Sequence, residues 1–136
     1  MRVVLDTNAL LVSVPTRSDF RLVIDSFADK KYELLVTNEI LSEYAEVLEL
    51  KNGIFVAGNV VDFILHRKNL IRIQIYYRWN LIHTDQDDNK FSDCAIAGNA
   101  DFLVSNDSHF RILRSISFPK VNVITVEEFL GILKTL

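Results

Sequence analysis

The chain has 136 residues, 49% of them hydrophobic and 24% charged, with a formal net charge of −3. That length and balance describe one globular domain with a sizeable core and exclude a disordered chain, and the acidic balance excludes a protein that grips nucleic acid by overall charge alone. A single cysteine, Cys94, excludes an internal disulfide and fits a buried thiol in a reducing, cytoplasmic setting, while no apolar stretch reaches the roughly 20 residues that cross a bilayer, so no membrane contact is expected.

Residues 2–6 (RVVLD) read as a strand buried on both faces. The strand ends on Asp6, Thr7 and Asn8. A buried carboxylate is costly unless something pairs with it, so Asp6 either caps the segment after the strand or holds a ligand. A helix is predicted over 17–30, a strand over 33–36 and a second helix over 38–50. At about 100° per residue, Ile40, Tyr44, Val47 and Leu50 form the apolar stripe of that second helix, and Glu43 falls inside it. Glu39, Glu46 and Glu49 fall on the border or on the solvent side.

A helix over 56–68 and a strand over 70–75 come next, with Arg67, Lys68, Arg72 and Arg78 grouped around the strand as a mostly solvated surface. The stretch DQDDNKFSDCAIAGNADFLVSND then contains a helix over 90–99 that turns Phe91, Cys94, Ala95 and Gly98 inward. Asp88 or Asn89 is its expected N-cap, with Asp88 an outer metal ligand in the other reading. Asp85 and Asp87 favour the positive end of the helix, and Lys90 lies beside its start. Asp93 faces a mostly apolar surface. A strand over 102–105 runs into Ser105-Asn106-Asp107, and a helix over 108–114, a strand over 121–125 and a helix over 126–135 complete the chain.

Strands separated by helices imply a parallel sheet covered on both faces, a three-layer α/β/α sandwich. Ligands of such sheets bind beyond the carboxyl ends of the strands, where Asp6 and Asp107 both stand. Asp6, Glu43, Asp93 and Asp107 can converge on that edge. Four neighbouring carboxylates cannot all stay ionised without cations, and an all-oxygen set favours Mg²⁺ or Mn²⁺, one ion or two. His66, His83 and His109 are scattered and make no zinc pattern.

These motifs resemble the PIN domain, in particular the small stand-alone PIN proteins that act as toxins of toxin–antitoxin pairs. The matching pieces are Asp6-Thr7-Asn8 at the end of the first strand, Glu43 in LSEY, Asp93 before Cys94-Ala95-Ile96-Ala97, and Ser105-Asn106-Asp107-Ser108-His109-Phe110. The resemblance implies a five-stranded sheet of order 3-2-1-4-5 and a metal-dependent endonuclease cleaving single-stranded RNA. It assigns Asp6, Glu43, Asp93 and Asp107 as metal ligands; beside it, Asp88 is read as an outer group, and Thr7, Asn8 and Ser105 as side chains that can orient the ligands. A small antitoxin protein is the implied partner, and a homodimer is compatible with it. The alternative is a PIN fold that binds RNA or a protein without cleaving.

Overall fold

The computed structural model describes residues 1–136. Five short strands make one parallel sheet: β1 (Arg2–Leu5), β2 (Glu33–Val36), β3 (Leu70–Arg72), β4 (Phe102–Val104) and β5 (Val123–Ile124). Their order is β3-β2-β1-β4-β5, as the resemblance implied. β1 lies between β2 and β4, with Val3 opposite both Leu34 and Phe102. Val3, Val4, Leu34, Leu35, Leu103 and Val104 are fully buried, which is why these strands read as unbroken apolar runs.

Six α-helices surround the sheet: α1 (Thr7–Ser13), α2 (Arg21–Ala28), α3 (Asn38–Asn52), α4 (Ile54–Leu65), α5 (Asn89–Ala97) and α6 (Val126–Leu133). The chain steps from β1 through β2 to β3 in one direction, then returns across β1 to β4 and β5. α5 packs on β1, β2 and β4, α1 and α2 pack together, α4 packs on α3, and α6 packs on α2. The reversal between β1 and β4 is the switch point at which such sheets bind ligands.

Several expected boundaries shift. The helix over 17–30 contracts to α2, and α1 was not foreseen: it is seven residues long and begins on the polar pair that follows β1. The strands over 70–75 and 121–125 shrink to three and two residues, and the segment over 108–114 is a 3-10 helix, Ser108–Ser115. α3 and α4 are separated only by Gly53, whose φ of 86° is a conformation that glycine adopts without the strain a side chain would bring. The stripe of α3 is also corrected. Ile40, Tyr44 and Leu48 are its buried residues, whereas Leu50 is 77% exposed. Burial is centred on Tyr44, so Leu50, six positions on, points about 120° away.

α5 packs tightly on the sheet at its far end. A Cβ on Gly98 would lie 2.6 Å from Leu35 Cδ1 and 3.0 Å from Ile73 Cδ1, so a side chain there would have to displace the Leu35 and Ile73 side-chain ends. No helix is long and apolar enough to cross a membrane.

Candidate active site

Asp6 is a cap, and it also faces the open edge of the sheet. It follows β1, is 4% exposed, and is the N-cap of α1, its Oδ1 accepting the Ala9 N–H at 2.7 Å. Its Oδ2 accepts from the Ser105 hydroxyl across the switch point. Ser105 Oγ in turn accepts the Asp107 N–H at 2.9 Å, so one serine ties the ends of β1 and β4 together. Asp107 caps the 3-10 helix, its Oδ1 accepting the His109 N–H at 2.9 Å.

Glu43 comes to this edge from α3. It flanks the buried stripe rather than lying within it, and its side chain is 26% exposed. Thr7 Oγ1 donates to Glu43 Oε2, and the Lys90 ammonium lies 2.7 Å from Glu43 Oε1. Thr7 therefore orients Glu43, and Ser105 orients Asp6. Asn8 is exposed and hydrogen-bonds neither carboxylate, so its expected orienting role is not met.

The start of α5 differs from expectation. Asp88 occupies the cap position, but its side chain makes no cap bond. It accepts instead from His109 Nδ1 at 3.1 Å, an atom that also lies 3.4 Å from Asp107 Oδ1 and 3.8 Å from Asp85 Oδ2. Asn89 braces this turn, its side chain accepting the Ile82 N–H and donating to the Ile82 carbonyl, each at 2.9 Å. Asp93 is 3% exposed and accepts the Trp79 N–H at 3.1 Å. The charges it feels are Arg78 and Glu39. Asp6 instead feels Asp107 and Glu43, and Asp88 feels Asp85 and Asp107. Asp6 therefore neighbours Asp107 and Glu43, Asp88 neighbours Asp85, Asp107 and His109, and Asp93 contacts Trp79 near Arg78 and Glu39.

Three participants were missed. His109, one of three histidines read as scattered, stands among Asp85, Asp88 and Asp107. Asp85, read as a helix-end charge, joins the same cluster, and the Asp85, Asp88 and His109 ligand atoms lie within 4.8 Å of one another, close enough to hold a metal ion. Lys90, given no role beyond its place at the helix start, is only 15% exposed in its side chain. Their separation in sequence hid the first two. The position of Lys90 beside the cap residues was the one available signal for the third.

The electrostatics of this edge suit a cation. Burial raises the Asp6 carboxyl above its ordinary value, with Asp107 and Glu43 adding to the shift and the Ser105 and Ala9 bonds opposing it. Burial likewise pushes Asp88 up to about 6, against the pull of His109. For Lys90 burial acts downward, but the Glu43 bond and the surrounding acids outweigh it and the ammonium is favoured. His109 is raised, chiefly by its bond to Asp88. Lys90 is the ammonium the fold brings beside Glu43, and Asp6 has no cationic partner. Carboxylate oxygens with one imidazole at the margin fit a divalent cation.

These shifts make stability depend on pH. Asp6 and Asp88 hold protons in the folded chain that the unfolded chain releases, so stability falls as pH rises through their raised values. For Asp88 that window runs from about 4 to about 6. His109 acts in the same direction, because the stability its pairing adds is present at low pH and lost as pH rises through its raised value. Without divalent ions, Tm is expected to rise between about pH 7.5 and about pH 5, and Asp88→Asn should flatten that rise. A Tm that falls over this range in wild type would contradict the assigned environment.

A family model described as PIN domain matches residues 2–109. Among solved structures, the Rickettsia felis VapBC2 structure bound to a promoter DNA fragment is similar at 18% identity and a TM-score of 0.66, covering 92% of this chain and 98% of that one. DNA-bound VapBC from Salmonella typhimurium is similar at 15% identity and a TM-score of 0.57, covering 93% and 98%. Mycobacterium tuberculosis VapC20, a toxin that cleaves the sarcin–ricin loop, is similar at 10% identity and a TM-score of 0.57, covering 83% and 94%. No curated protein matches the sequence.

Proposed function

The chain belongs to the PIN-domain family, and on that premise we propose that it is a divalent-metal-dependent endoribonuclease cleaving single-stranded RNA, the toxin of a toxin–antitoxin pair. The observation that carries this reading is the link of Asp6 through the Ser105 hydroxyl to Asp107 at the switch point of the sheet, with Glu43 bonded to Thr7 beside Asp6 and the Asp85, Asp88 and His109 group adjoining Asp107. VapC20, a toxin by name and an RNA cleaver by description, shares the fold and supports the direction of the reading.

In this proposal Asp6, Glu43 and Asp107 hold the ion, and Asp88 takes the place first given to Asp93. A divalent ion bound there lowers the pKa of a water and neutralises charge on a phosphodiester. The chain's own residues do the rest. Ser105 and Thr7 fix the directions of Asp6 and Glu43. Lys90 brings a positive charge beside Glu43, in the hollow that a substrate phosphate would enter. His109, whose charged form the bond to Asp88 favours, stands beside Asp107 as a group that can exchange a proton with a leaving oxygen.

The toxin reading also asks for a partner surface. Leu50, Ile54 and Phe55 are 77%, 65% and 85% exposed at the junction of α3 and α4, an apolar face suited to an antitoxin or to a second copy in a homodimer.

The test is a melting series with Mn²⁺ or Mg²⁺. Ions that bind only the folded chain stabilise it by RT ln(1 + [L]/Kd), so Tm should rise with ion concentration. The rise should vanish in the Asp6→Asn/Asp107→Asn double variant. Expression without a partner should slow growth, and Asp6→Ala should relieve it. An ion-independent Tm, or equal growth inhibition by wild type and Asp6→Ala at matched expression, contradicts the reading.

A further inference from the structure

We infer that the aromatic surface built by Tyr77, Trp79 and Phe118 is a base-stacking platform that selects single-stranded nucleic acid for the acid cleft. This deepens the nuclease reading by naming how its substrate is held.

Two distant segments make the surface. Asp62 and Asp85 bracket residues 63–84, which carry four basic residues and no acid; Asp107 and Glu127 bracket residues 108–126, which carry three and again no acid. In a chain of net charge −3 these two stretches hold seven of the fifteen Lys and Arg residues. They meet through their aromatics. Trp79 packs edge-on against Tyr77, with centroids 4.8 Å apart, and against Phe118 at 6.1 Å. Tyr77 and Phe118 remain 66% and 81% exposed. Edge-on packing within the cluster leaves the faces of Tyr77 and Phe118 open to solvent, with Arg78 between Tyr77 and Trp79 in the chain, and an open ring face near a guanidinium is what an unstacked base and its phosphate recognise.

The surface leads to the cleft. Arg78 lies 3.0 Å from Glu39, and Arg72 reaches Asn38, so both guanidinium groups stand at the start of α3. Asn38 and Glu39 line the same hollow as Glu43 and Lys90. The Trp79 N–H fixes the segment to α5 through Asp93. A strand whose bases lie on Tyr77 and Phe118 would therefore run past Arg78 and Arg72 toward Glu43. A duplex, with its bases already stacked and paired, offers nothing for these rings to hold.

Trp79 is the one tryptophan, so its fluorescence reports directly on this surface. In EDTA, to prevent cleavage, a short oligoadenylate should quench Trp79 and the same strand annealed to its complement should not. Tyr77→Ala and Phe118→Ala should each weaken binding about 10-fold or more. Arg72→Gln should reduce its salt dependence. Both aromatic side chains are exposed, so the variants should melt like wild type. Unquenched fluorescence, equal quenching by the duplex, or unchanged affinity in both alanine variants overturns the proposal. So does a dimer that dissociates in the Tyr77→Ala/Phe118→Ala variant, which would assign the surface to a second copy. If Mn²⁺ supports cleavage with an unchanged KM in both variants, the platform fails and the nuclease reading stands. If oligoadenylate binds through the aromatics but no ion supports cleavage, the nuclease reading fails and the platform stands.

Discussion

Asp6→Asn is expected to abolish RNA cleavage, by at least about 10³-fold, while making the metal-free protein more stable. The loss has the size seen when a member of a catalytic constellation is removed. The gain comes from the same geometry. Asp6 is 4% exposed and has no cationic partner, and Asp107 and Glu43 both oppose its ionisation. An amide keeps the acceptor for the Ala9 N–H and can donate to Ser105 Oγ, so the cap of α1 survives and the repulsion goes. Such an exchange of stability for function is expected where a site stores unfavourable charge. Melting curves in EDTA and cleavage assays in Mn²⁺ test the two halves separately. A variant that melts below wild type in EDTA would show that Asp6 is satisfied without an ion.

The second large effect separates two carboxylates five residues apart. Asp88→Asn should reduce cleavage by about 10²-fold or more, whereas Asp93→Asn should leave it within a few-fold of wild type. Asp88 faces Asp107 and His109 across the cleft. Asp93 accepts the Trp79 N–H, a bond that an asparagine oxygen can also accept. Asp93→Ala is a different change, because it leaves a backbone donor without its partner. It should lower the unfolding free energy by about 1–3 kcal/mol, measured in urea, with cleavage of the remaining folded protein largely retained. If Asp93→Asn abolishes cleavage and Asp88→Asn spares it, the third acid is Asp93, as the family resemblance alone implied.

The fold and part of the site were legible because buried parallel strands announce themselves. The apolar runs before Asp6 and before Ser105 located two strand ends, and side chains at the ends of neighbouring parallel strands must meet. Ser105, Asp6 and Asp107 follow from that alone. Glu43 was found through a helical stripe whose centre was misplaced: Leu50 drew the stripe toward Glu43, whereas the true centre on Tyr44 leaves Glu43 at its flank. The inward placement was overstated, but the glutamate still reaches the edge through Thr7 and Lys90. α1 was not legible, because seven residues beginning on Thr7-Asn8 carry too little periodicity to register.

The choice between Asp88 and Asp93 could not be read at all. It depends on how residues 73–85 pass over α5, and that path is held by side chain to backbone bonds, Asn89 to Ile82 and Asp93 to Trp79. No local pattern encodes such bonds. His109 has the same character. It is unremarkable in its own segment and becomes part of the site only when the turn ahead of α5 brings Asp85 and Asp88 against the 3-10 helix.

The acid cluster is best tested by incubating a mixed pool of single-stranded RNA with the purified protein, in Mn²⁺ and in EDTA, and mapping the new ends. Cleavage in Mn²⁺ that EDTA stops, and that Asp6→Asn lacks at equal concentration, is the predicted result. Cleavage that persists in EDTA or in Asp6→Asn, or RNA left intact in Mn²⁺ by a protein whose Tm the ion has raised, would contradict a nuclease centre at the end of β1.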